Sequence, residues 1–473
     1  MIRTISLATA LLVVATLSVS SYQPRVTSGA APTFSKDVAP IIYGNCTTCH
    51  RPGQSAPFAL ISYDDVKKRG AFIVKVTSRR VMPPWHATPA DGFPAFRDDR
   101  RLSDKELATL KDWVDAGMPS GDLKSAPTPP VFPEDWPLGK PDLVVEMSST
   151  VDVPADGPDL YRNMVLKIDQ ADAQWVAAID FQPSARKVVH HALFFVAPAS
   201  MTVNSTEILP GLGAGLAAGL GRAGGAQRGG GAAGAPARGA SRIGAADEAV
   251  GGLGGWVPGM TPRFFPDGVA QALPAHSNLI VQLHLHPDGK PEQEKGRLAI
   301  YFSKKPVTKS LTGVQVPPMF GFAAGIDIAA GDKSFTIKDS FVLPVDIEAF
   351  GARGHAHYLA KEMRMTATLP DGTMKGLLWI SDWDFGWQDS YFFKQAFTLP
   401  KGTRIDTTIV YDNTENNVRN PNTPPKRVKW GQGSFDEMGS MTLLVAAPSK
   451  ADTDALRQAQ AEHFRTQLLA RVR

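Results

Sequence analysis

The run Cys46-Thr47-Thr48-Cys49-His50 contains both cysteines and one of the ten histidines of this 473-residue chain. The spacing C-x-x-C-H is typical of covalent c-type haem attachment, in which two thiols form thioethers with the porphyrin. The adjacent His50 is then positioned to reach the iron as an axial ligand. We therefore predict a covalent haem c held by Cys46, Cys49 and His50, which leaves no cysteine for a structural disulfide.

The sequence around this motif predicts a small helical unit over residues 30–125. An apolar helix with Ser35 as its cap precedes the motif. A second helix is predicted to begin at Ser103, because Glu106 three residues later completes a capping box. Gly117 is positioned to end that helix. The order of helix, haem motif, loop and helix resembles that of a class I cytochrome c, so we expect a small all-α domain here.

A class I cytochrome c needs a second axial ligand, for which Met82 is the best candidate. Met82 lies in the run Arg80-Val81-Met82-Pro83-Pro84-Trp85-His86. The two prolines stiffen the loop that would hold the thioether against the iron. Ligation by methionine and histidine raises the reduction potential of haem iron. His86 is the alternative ligand.

The first 24 residues predict a signal peptide, with Arg3 before an apolar run from Leu7 to Val19. Export agrees with the haem motif, so the mature protein is expected in the periplasm or outside the cell. The apolar run is short for a membrane-spanning helix and no later run approaches the required length, so no stable membrane span is expected. The 50 Lys and Arg against 46 Asp and Glu give a net charge of +4 without a basic block, which argues against nucleic acid as a partner.

Beyond a proline-rich linker over residues 126–141, the pattern changes to short strands. Apolar or alternating runs bounded by Gly, Pro, Asp and Asn predict antiparallel β-sandwiches. Residues 212–255, dominated by Gly and Ala, predict a flexible insertion, and residues 449–473 predict a helical tail. The strand-like runs are Asp142–Met147, Lys187–Val196, Asn278–His286, Arg297–Phe302, Arg364–Leu369, Arg404–Tyr411 and Met441–Ala446.

Six histidines of this β region form three compact pairs. Alternate residues of a strand point to the same face, so a His-x-His pair can present two imidazoles to one metal ion. Adjacent histidines point to opposite faces of a flat strand and can share a metal only at a strand end or an irregularity. Imidazole suits Cu, Zn, Fe and Ni, and the spacing does not choose among them. The pairs are His190-His191, His284-Leu285-His286 and His355-Ala356-His357.

Four motifs resemble, in their order, those of the copper type II, ascorbate-dependent monooxygenases, the family of peptidylglycine α-hydroxylating monooxygenase and dopamine β-hydroxylase. The resemblance covers about residues 145–448 and implies two jelly-roll-like β-sandwich domains, over residues 142–305 and 306–448. The cytochrome c domain ahead of them is similar to a known bacterial arrangement. The motifs are His190-His191-Ala192-Leu193-Phe194-Phe195, Gln282-Leu283-His284, Gly354-His355-Ala356-His357-Tyr358 and Asp436-Glu437-Met438.

The resemblance also implies two copper ions with different ligands. One, the electron-transfer copper, would be bound by His190, His191 and His284, although His286 stays open as an alternative to His284. The other, which meets O2 and substrate, would be bound by the residues His355, His357 and Met438. A thioether ligand favours Cu(I), the state that reacts with O2.

The resemblance does not extend to a peptide substrate. Arg353 matches the position of the arginine that binds the substrate carboxylate in the peptide-amidating enzyme. Ser440 and Thr442, however, stand where that enzyme has an amide and a phenol. The disulfides that brace the animal enzymes have no counterpart, because the two cysteines belong to the haem motif.

These expectations combine into a periplasmic haem- and copper-dependent monooxygenase that hydroxylates a C–H bond of a small organic substrate with O2. A redox partner would deliver electrons through the c-type haem. The alternative is a non-enzymatic cytochrome c electron carrier, or a copper-binding protein, on a β-sandwich scaffold. A third hypothesis is that the β domains bind zinc or no metal. A serine hydrolase has little support, since the sequence contains no Gly-x-Ser-x-Gly.

Overall fold

The computed structural model describes residues 30–54, 56–133, 135–168, 170–199 and 253–472. The predicted signal peptide and residues 212–252 of the predicted insertion lie outside the described residues. Within the described ranges the chain is mostly β-sheet, with a helical unit at its amino-terminal end and one long helix at its carboxyl-terminal end.

The amino-terminal unit packs short helices around a core that includes Phe34, Ile42 and Trp113. Ser103 caps the last helix of the unit with a complete capping box, as predicted, and Gly117 follows its end with φ = 82°. The prediction for Ser35 was wrong, because Ser35 is buried inside a π-helical turn and makes no cap. The helices are α1 Ala39–Asn45, preceded by the π-helical turn Phe34–Val38, α2 Tyr63–Lys67, α3 Gly70–Ser78 and α4 Asp104–Asp115.

The β region contains each of the seven strand-like runs as a strand, with some shifts at the ends. The strands are β1 Leu143–Glu146, β2 Val151–Val153, β3 Leu160–Leu166, β4 Gln174–Gln182, β5 Val189–Pro198, β6 Gly254–Trp256, β7 Val269–Leu273, β8 Ser277–Leu285, β9 Glu292–Glu294, β10 Arg297–Phe302, β11 Lys309–Val316, β12 Asp327–Ile328, β13 Phe335–Val342, β14 Ile347–Ala356, β15 Ala360–Thr368, β16 Met374–Ile380, β17 Ser390–Leu399, β18 Arg404–Tyr411, β19 Val428–Lys429 and β20 Gly439–Ala446.

Two β-sandwiches follow one another along the chain. In the first, strands β1, β10, β4 and β7 enclose a core with the sheet β3-β8-β5-β6. In the second, strands β11, β20, β14 and β17 enclose a larger core with the sheet β13-β18-β15-β16. The fold is therefore β-rich with sandwich architecture, in agreement with the coarse sequence prediction.

The two sandwiches share one continuous sheet of eight strands, which the sequence did not predict. Strands β7 and β11 join its halves through a short parallel pairing of Val269 with Lys309 and Ala270 with Ser310. The other strand pairings within the described ranges are antiparallel. This shared sheet fixes the orientation of the two sandwiches relative to each other.

The predicted insertion ends earlier than expected, because its last residues form strand β6. Trp256 pairs with Ala192 of β5, and Gly255 pairs with Leu193. A Cβ atom on Gly255 would lie 2.9 Å from the carbonyl oxygen of Ala192, so only glycine allows this close pairing. The prediction of a flexible segment was therefore wrong for residues 253–255.

Residues 85–97 lie on the second sandwich although they precede it by more than 200 residues. Trp85 is buried and its ring centroid lies 5.1 Å from that of Tyr391. The backbone N–H of Thr88 donates to the Trp379 carbonyl at 2.7 Å. These contacts attach the amino-terminal unit directly to the second sandwich.

The second half of the predicted linker also packs against the β region. Trp136 is buried against Ala178, Ala299 and Tyr301 on the outer face of strands β4 and β10. The carboxyl-terminal helix α5, Lys450–Val472, confirms the predicted helical tail and packs Leu456 into the second core. None of the helices in the described ranges combines the length and the apolar character needed to cross a bilayer.

Candidate metal and haem sites

Three imidazoles from the first sandwich converge on one point. The Nδ1 atoms of His190, His191 and His284 lie 3.1, 3.2 and 3.4 Å from one another. A metal ion about 2.0–2.1 Å from each nitrogen in tetrahedral geometry requires nitrogen separations of about 3.3 Å. The three nitrogens therefore fit one metal ion, and we call these residues the histidine triad.

An irregularity in strand β5 brings adjacent histidines to the same side. Val189 pairs with Leu285 and His191 pairs with His284, so His190 is an extra residue without a cross-strand partner. A bulge of this kind turns its side chain away from the regular alternation of the strand. The sequence allowed His190 and His191 to share a metal only at a strand end or an irregularity, and strand β5 has such an irregularity at these residues.

The structure separates the roles of His284 and His286, which the sequence left open. The His284 side chain is buried within the triad, whereas 61% of the His286 side chain is exposed. His284 donates from Nε2 to a carboxylate oxygen of Asp159 at 2.6 Å, which leaves its Nδ1 lone pair directed at the triad. His286 donates from Nδ1 to the other oxygen of Asp159 at 2.7 Å. The histidine that joins the triad is therefore His284.

Burial favours the uncharged form of the triad imidazoles, which is the form that binds a metal ion. The pKa of His190 is lowered to about 3, mainly by burial and to a smaller extent by the nearby His284. Burial likewise lowers the pKa of His191 and of His284. Burial also opposes ionisation of Asp159, but the hydrogen bonds and charge of its partners outweigh this and hold the pKa of that carboxyl well below its usual range. A histidine backed by an ionised carboxylate is the usual outer arrangement of metal-binding imidazoles.

A second set of candidate ligands lies at the end of strand β14. His355 donates from Nδ1 to the side-chain oxygen of Gln388 at 2.7 Å, and His357 donates from Nδ1 to the carbonyl of Asp436 at 3.0 Å. With Nδ1 as the donor, Nε2 carries the lone pair of each ring, and burial lowers the pKa of His355 to about 4 and of His357 to about 3. Met438 is buried and lines the same cavity as both histidines.

Glu437 orders the segment that carries Met438. Its carboxylate accepts hydrogen bonds from the backbone N–H groups of His357 at 3.0 Å, Leu359 at 2.6 Å and Met438 at 3.1 Å. Burial nevertheless raises the pKa of Glu437 to about 8. Residues His355, His357 and Met438, which we call the thioether set, thus offer two imidazole nitrogens and one sulfur in a donor set that fits Cu(I).

A single aromatic ring, that of Phe385, separates the two sets. Its centroid lies 5.0 Å from the His190 ring, 5.3 Å from the His284 ring and 5.5 Å from the His357 ring. One cavity reaches both sets. Its lining consists of Tyr161, His191, Leu193, Gln282, Phe320, His355, His357, Phe385, Gln432 and Met438.

The haem motif lies in the loop that follows helix α1. Cys46 and Cys49 are not joined by a disulfide, and burial raises the pKa of Cys46 to about 12. His50 donates from Nδ1 to the carbonyl of Phe58 at 3.1 Å, which leaves its Nε2 free for an axial bond. The Cys49 sulfur packs against the backbone of Gly259 in the first sandwich, where a Cβ atom would lie 2.3 Å away.

The residue types around the motif fit a porphyrin. Large apolar side chains of the same unit are exposed, with 52% of Phe72, 54% of Val81 and 40% of Met82 accessible. A haem bound at the motif would cover apolar surface of this kind, and the exposed Met82 thioether would be accessible to it as a ligand. His86, the alternative to Met82, donates from Nδ1 to the Asp382 carbonyl of the second sandwich at 2.9 Å.

Arg353 is a cation placed beside the thioether set, and sequence reasoning had already singled it out. It lies two residues before His355 on strand β14, so the two side chains leave the same face. Burial lowers its pKa, and its charge contributes to lowering the pKa of His355. Its cross-strand neighbour is Thr442, and Ser440 is opposite His355.

Phe385, Asp159, Ser434 and Gln388 are site residues that sequence reasoning missed. Asp159 and Ser434 contact the triad histidine His284, and Gln388 orients His355. None belongs to a short motif, and only the folded chain brings them to the histidines. The fold and the site together define a β-sandwich protein with a buried three-histidine site of metal-binding type.

No protein-family model and no curated protein matches the chain. Among solved structures, PNGF-II in a P21 crystal form is 12% identical with a TM-score of 0.27 over 64% of this chain and 65% of that chain. The VP2 subviral particle of infectious bursal disease virus is 13% identical with a TM-score of 0.18 over 69% of this chain and 76% of that chain. The chain spans just under two thirds of the PNGF-II chain. At these TM-scores the likenesses assign neither a family nor a function.

Proposed function

We propose that this chain is a haem- and copper-dependent monooxygenase, exported to the periplasm or secreted, that hydroxylates a C–H bond of a small organic substrate with O2. The observation that carries the proposal is the pairing of two ligand sets on one cavity. The histidine triad offers three imidazole nitrogens, and the thioether set offers two imidazoles and a sulfur. This difference in donors supports two copper ions with different tasks.

The residues that would hold each group follow from their donor atoms. His190, His191 and His284 would hold one copper, and the thioether set would hold the other. Cys46, Cys49 and His50 would hold a haem c, with Met82 as its second axial ligand and an external redox partner as electron source. When bound, these groups supply one-electron transfer and the reaction with O2.

The chain itself orients the candidate ligands and supplies apolar walls beside them. Hydrogen bonds from Nδ1 to Gln388 and to the Asp436 carbonyl direct the Nε2 atoms of His355 and His357 away from these partners. Phe385 and Phe320 supply apolar walls to the cavity. Such fixed donors avoid reorganisation during the reaction.

Arg353 supports a substrate with an anionic group. Within the described part of the chain, the Arg353 guanidinium makes no hydrogen bond or ion pair, although burial makes its charge costly. An anion bound next to the thioether set would compensate this charge. Ser440 and Thr442, across the strand from His355 and Arg353, would contact the same region of the substrate with hydroxyl groups.

Metal content and O2 consumption test the proposal. We expect two copper ions and one haem iron per chain in the exported, mature protein, and O2 uptake that depends on substrate. His355→Ala should lose one copper, whereas His463→Ala should lose none, because His463 lies on the carboxyl-terminal helix and is bonded to Asp339 of strand β13. One iron without copper after copper loading would overturn the proposal. Copper binding without substrate-dependent O2 uptake would indicate the electron-carrier or copper-binding alternative instead.

A further inference from the structure

Asp159 connects the two sandwiches at the histidine triad. It precedes strand β3 of the first sandwich, and its side chain is 8% exposed. The carboxylate accepts hydrogen bonds from His284 at 2.6 Å and His286 at 2.7 Å, both in the first sandwich. It also accepts one from the hydroxyl of Ser434 at 2.9 Å, and Ser434 belongs to the second sandwich.

Tyr161 completes the contact between Ser434 and the triad. Its ring stacks on the His284 imidazole, with centroids 4.4 Å apart and planes inclined by 12°. Its hydroxyl lies 2.6 Å from the Ser434 oxygen. Since the Ser434 hydroxyl donates to Asp159, the Tyr161 hydroxyl donates to Ser434. His284 is thereby fixed at its Nε2 edge and on one ring face.

Residues 433–438, here called the bridging loop, lead from Ser434 to the thioether set. The loop is closed by a hydrogen bond from the Asp436 N–H to the Gly433 carbonyl at 2.9 Å. The Asp436 carbonyl accepts the Nδ1 proton of His357, and Glu437 accepts the backbone N–H of Met438. One end of the bridging loop therefore contacts the triad, and the other end orients two thioether-set ligands.

We propose that Asp159 and Ser434 couple the two ligand sets, so that a metal ion bound by the triad tightens metal binding by the thioether set. The proposal rests on the proposed function, because it takes both sets to bind copper. A metal bond at Nδ1 fixes the His284 ring and strengthens Nε2–H as a donor to Asp159. Asp159 then holds Ser434, and the ordered bridging loop presents His357 and Met438 in their binding geometry.

Linkage makes this coupling reciprocal, so occupation of the thioether set tightens the triad by the same factor. Asp159 and Ser434 act as positioning residues, since neither offers an atom to the metal ion. Phe385 touches both sets by packing alone and offers no comparable directional link.

Amide hydrogen exchange of the bridging loop tests the coupling with cuprous ion as the probe. His355→Ala protein keeps the triad and the loop contacts but lacks a thioether-set ligand. One equivalent of cuprous ion should slow exchange of the loop amides about five-fold or more, within the usual range of coupling factors. In His355→Ala/Ser434→Ala protein the same copper should leave loop exchange unchanged. Equal slowing in both proteins would overturn the proposal.

Affinity measurements provide a second test that does not depend on exchange rates. In His190→Ala protein, the affinity of the thioether set for cuprous ion should be lower than in the wild type by about five-fold or more. This difference in affinity should vanish when Ser434→Ala is added. Ser434→Thr, which retains the hydroxyl, should restore the difference in affinity. Ser277→Ala is the matched control, because buried Ser277 donates only to the Pro274 carbonyl.

The two proposals fail in different ways. Wild-type protein that binds no copper would overturn the proposed function and the coupling with it. Wild-type protein that binds two copper ions, with the same His190→Ala effect in the presence and absence of Ser434, would overturn the coupling alone. If Ser434→Ala abolishes the His190→Ala effect on copper affinity and the control Ser277→Ala does not, the coupling is supported.

Discussion

His190 is the extra residue of a bulge in strand β5, and its Nδ1 lies 3.2 Å from the Nδ1 of His191 as a result. On a regular strand these two imidazoles would leave opposite faces of the sheet. The bulge turns both toward His284 of the neighbouring strand β8, so a local defect in pairing creates the triad. Five predictions test this arrangement, the sites around it and the fold that carries it.

The assignment of His284 rather than His286 is testable by substitution. His284→Asn should lose the triad copper, because its Nδ1 is one of the three converging nitrogens. His286→Asn should keep two copper ions per chain, since His286 contacts Asp159 and not the metal position. Metal analysis of the two purified variants provides the check. Copper loss in His286→Asn with retention in His284→Asn would reverse the assignment.

Asp159→Asn should weaken the triad without abolishing it. Replacing the carboxylate removes the ionised acceptor behind His284, and such outer partners typically change metal affinity by about 10–100-fold. Competition with a chromophoric chelator measures the change. Asp152→Asn serves as the control, because the Asp152 carboxylate accepts an exposed hydrogen bond from the Gln293 side chain on the neighbouring strand β9. An affinity equal to wild type would show that Asp159 does not support the triad.

The thioether of Met438 is testable apart from its packing. Met438→Leu nearly conserves volume, so stability should change by less than about 1.5 kcal/mol, but the protein should lose most cuprous affinity at the thioether set. Met441→Leu is the matched control, as Met441 lies three residues further along the chain, on strand β20, and is buried in the second core. Copper titration with thermal unfolding separates the effects. Equal copper binding by both variants would contradict the ligand role.

Met82 and His86 make different predictions for the haem. Met82→Ala should lower the reduction potential of the haem iron, because a thioether ligand raises it. His86→Gln should leave the potential nearly unchanged, since His86 is bonded to the Asp382 carbonyl of the second sandwich. Spectroelectrochemical titration measures both. A changed potential in His86→Gln, with an unchanged one in Met82→Ala, would favour His86 as the axial ligand.

Asp180 makes stability depend on pH. Burial raises its pKa from 3.8 to about 6. The folded protein therefore holds this proton more tightly than the unfolded chain, and the free energy of unfolding falls as pH rises through this window. Two pKa units correspond to about 3 kcal/mol, so Asp180→Asn should be more stable than wild type by up to that amount at pH 7.

Denaturant unfolding between pH 4 and 7 checks the Asp180 prediction. The stability difference between Asp180→Asn and wild type should shrink toward pH 4, because the unfolded carboxyl, whose pKa is 3.8, begins to take up its proton there as well. Asp267→Asn is the control, because the Asp267 side chain is 80% exposed. A pH-independent difference for Asp180→Asn would contradict the assigned cause.

Local patterns were sufficient for many elements of the fold. The three-residue spacing of Ser103 and Glu106 predicts the capping box that the structure contains. The alternation over Arg404–Tyr411 predicts strand β18 with the same ends as in the structure. Both depend on neighbours in sequence. The shared sheet depends on two residue pairs of β7 and β11, separated by about 40 residues, and has no local signature.

The sequence by itself determined the haem motif, the three histidine pairs and the β-rich class, because each rests on residue types at fixed short spacings. Only the tertiary structure decided that His284 and not His286 joins the triad, that Phe385 separates the two sets, and that Asp159 bonds Ser434 across the sandwiches. These contacts join residues up to 275 positions apart. Their formation depends on how the two sandwiches pack, which no short stretch of sequence specifies.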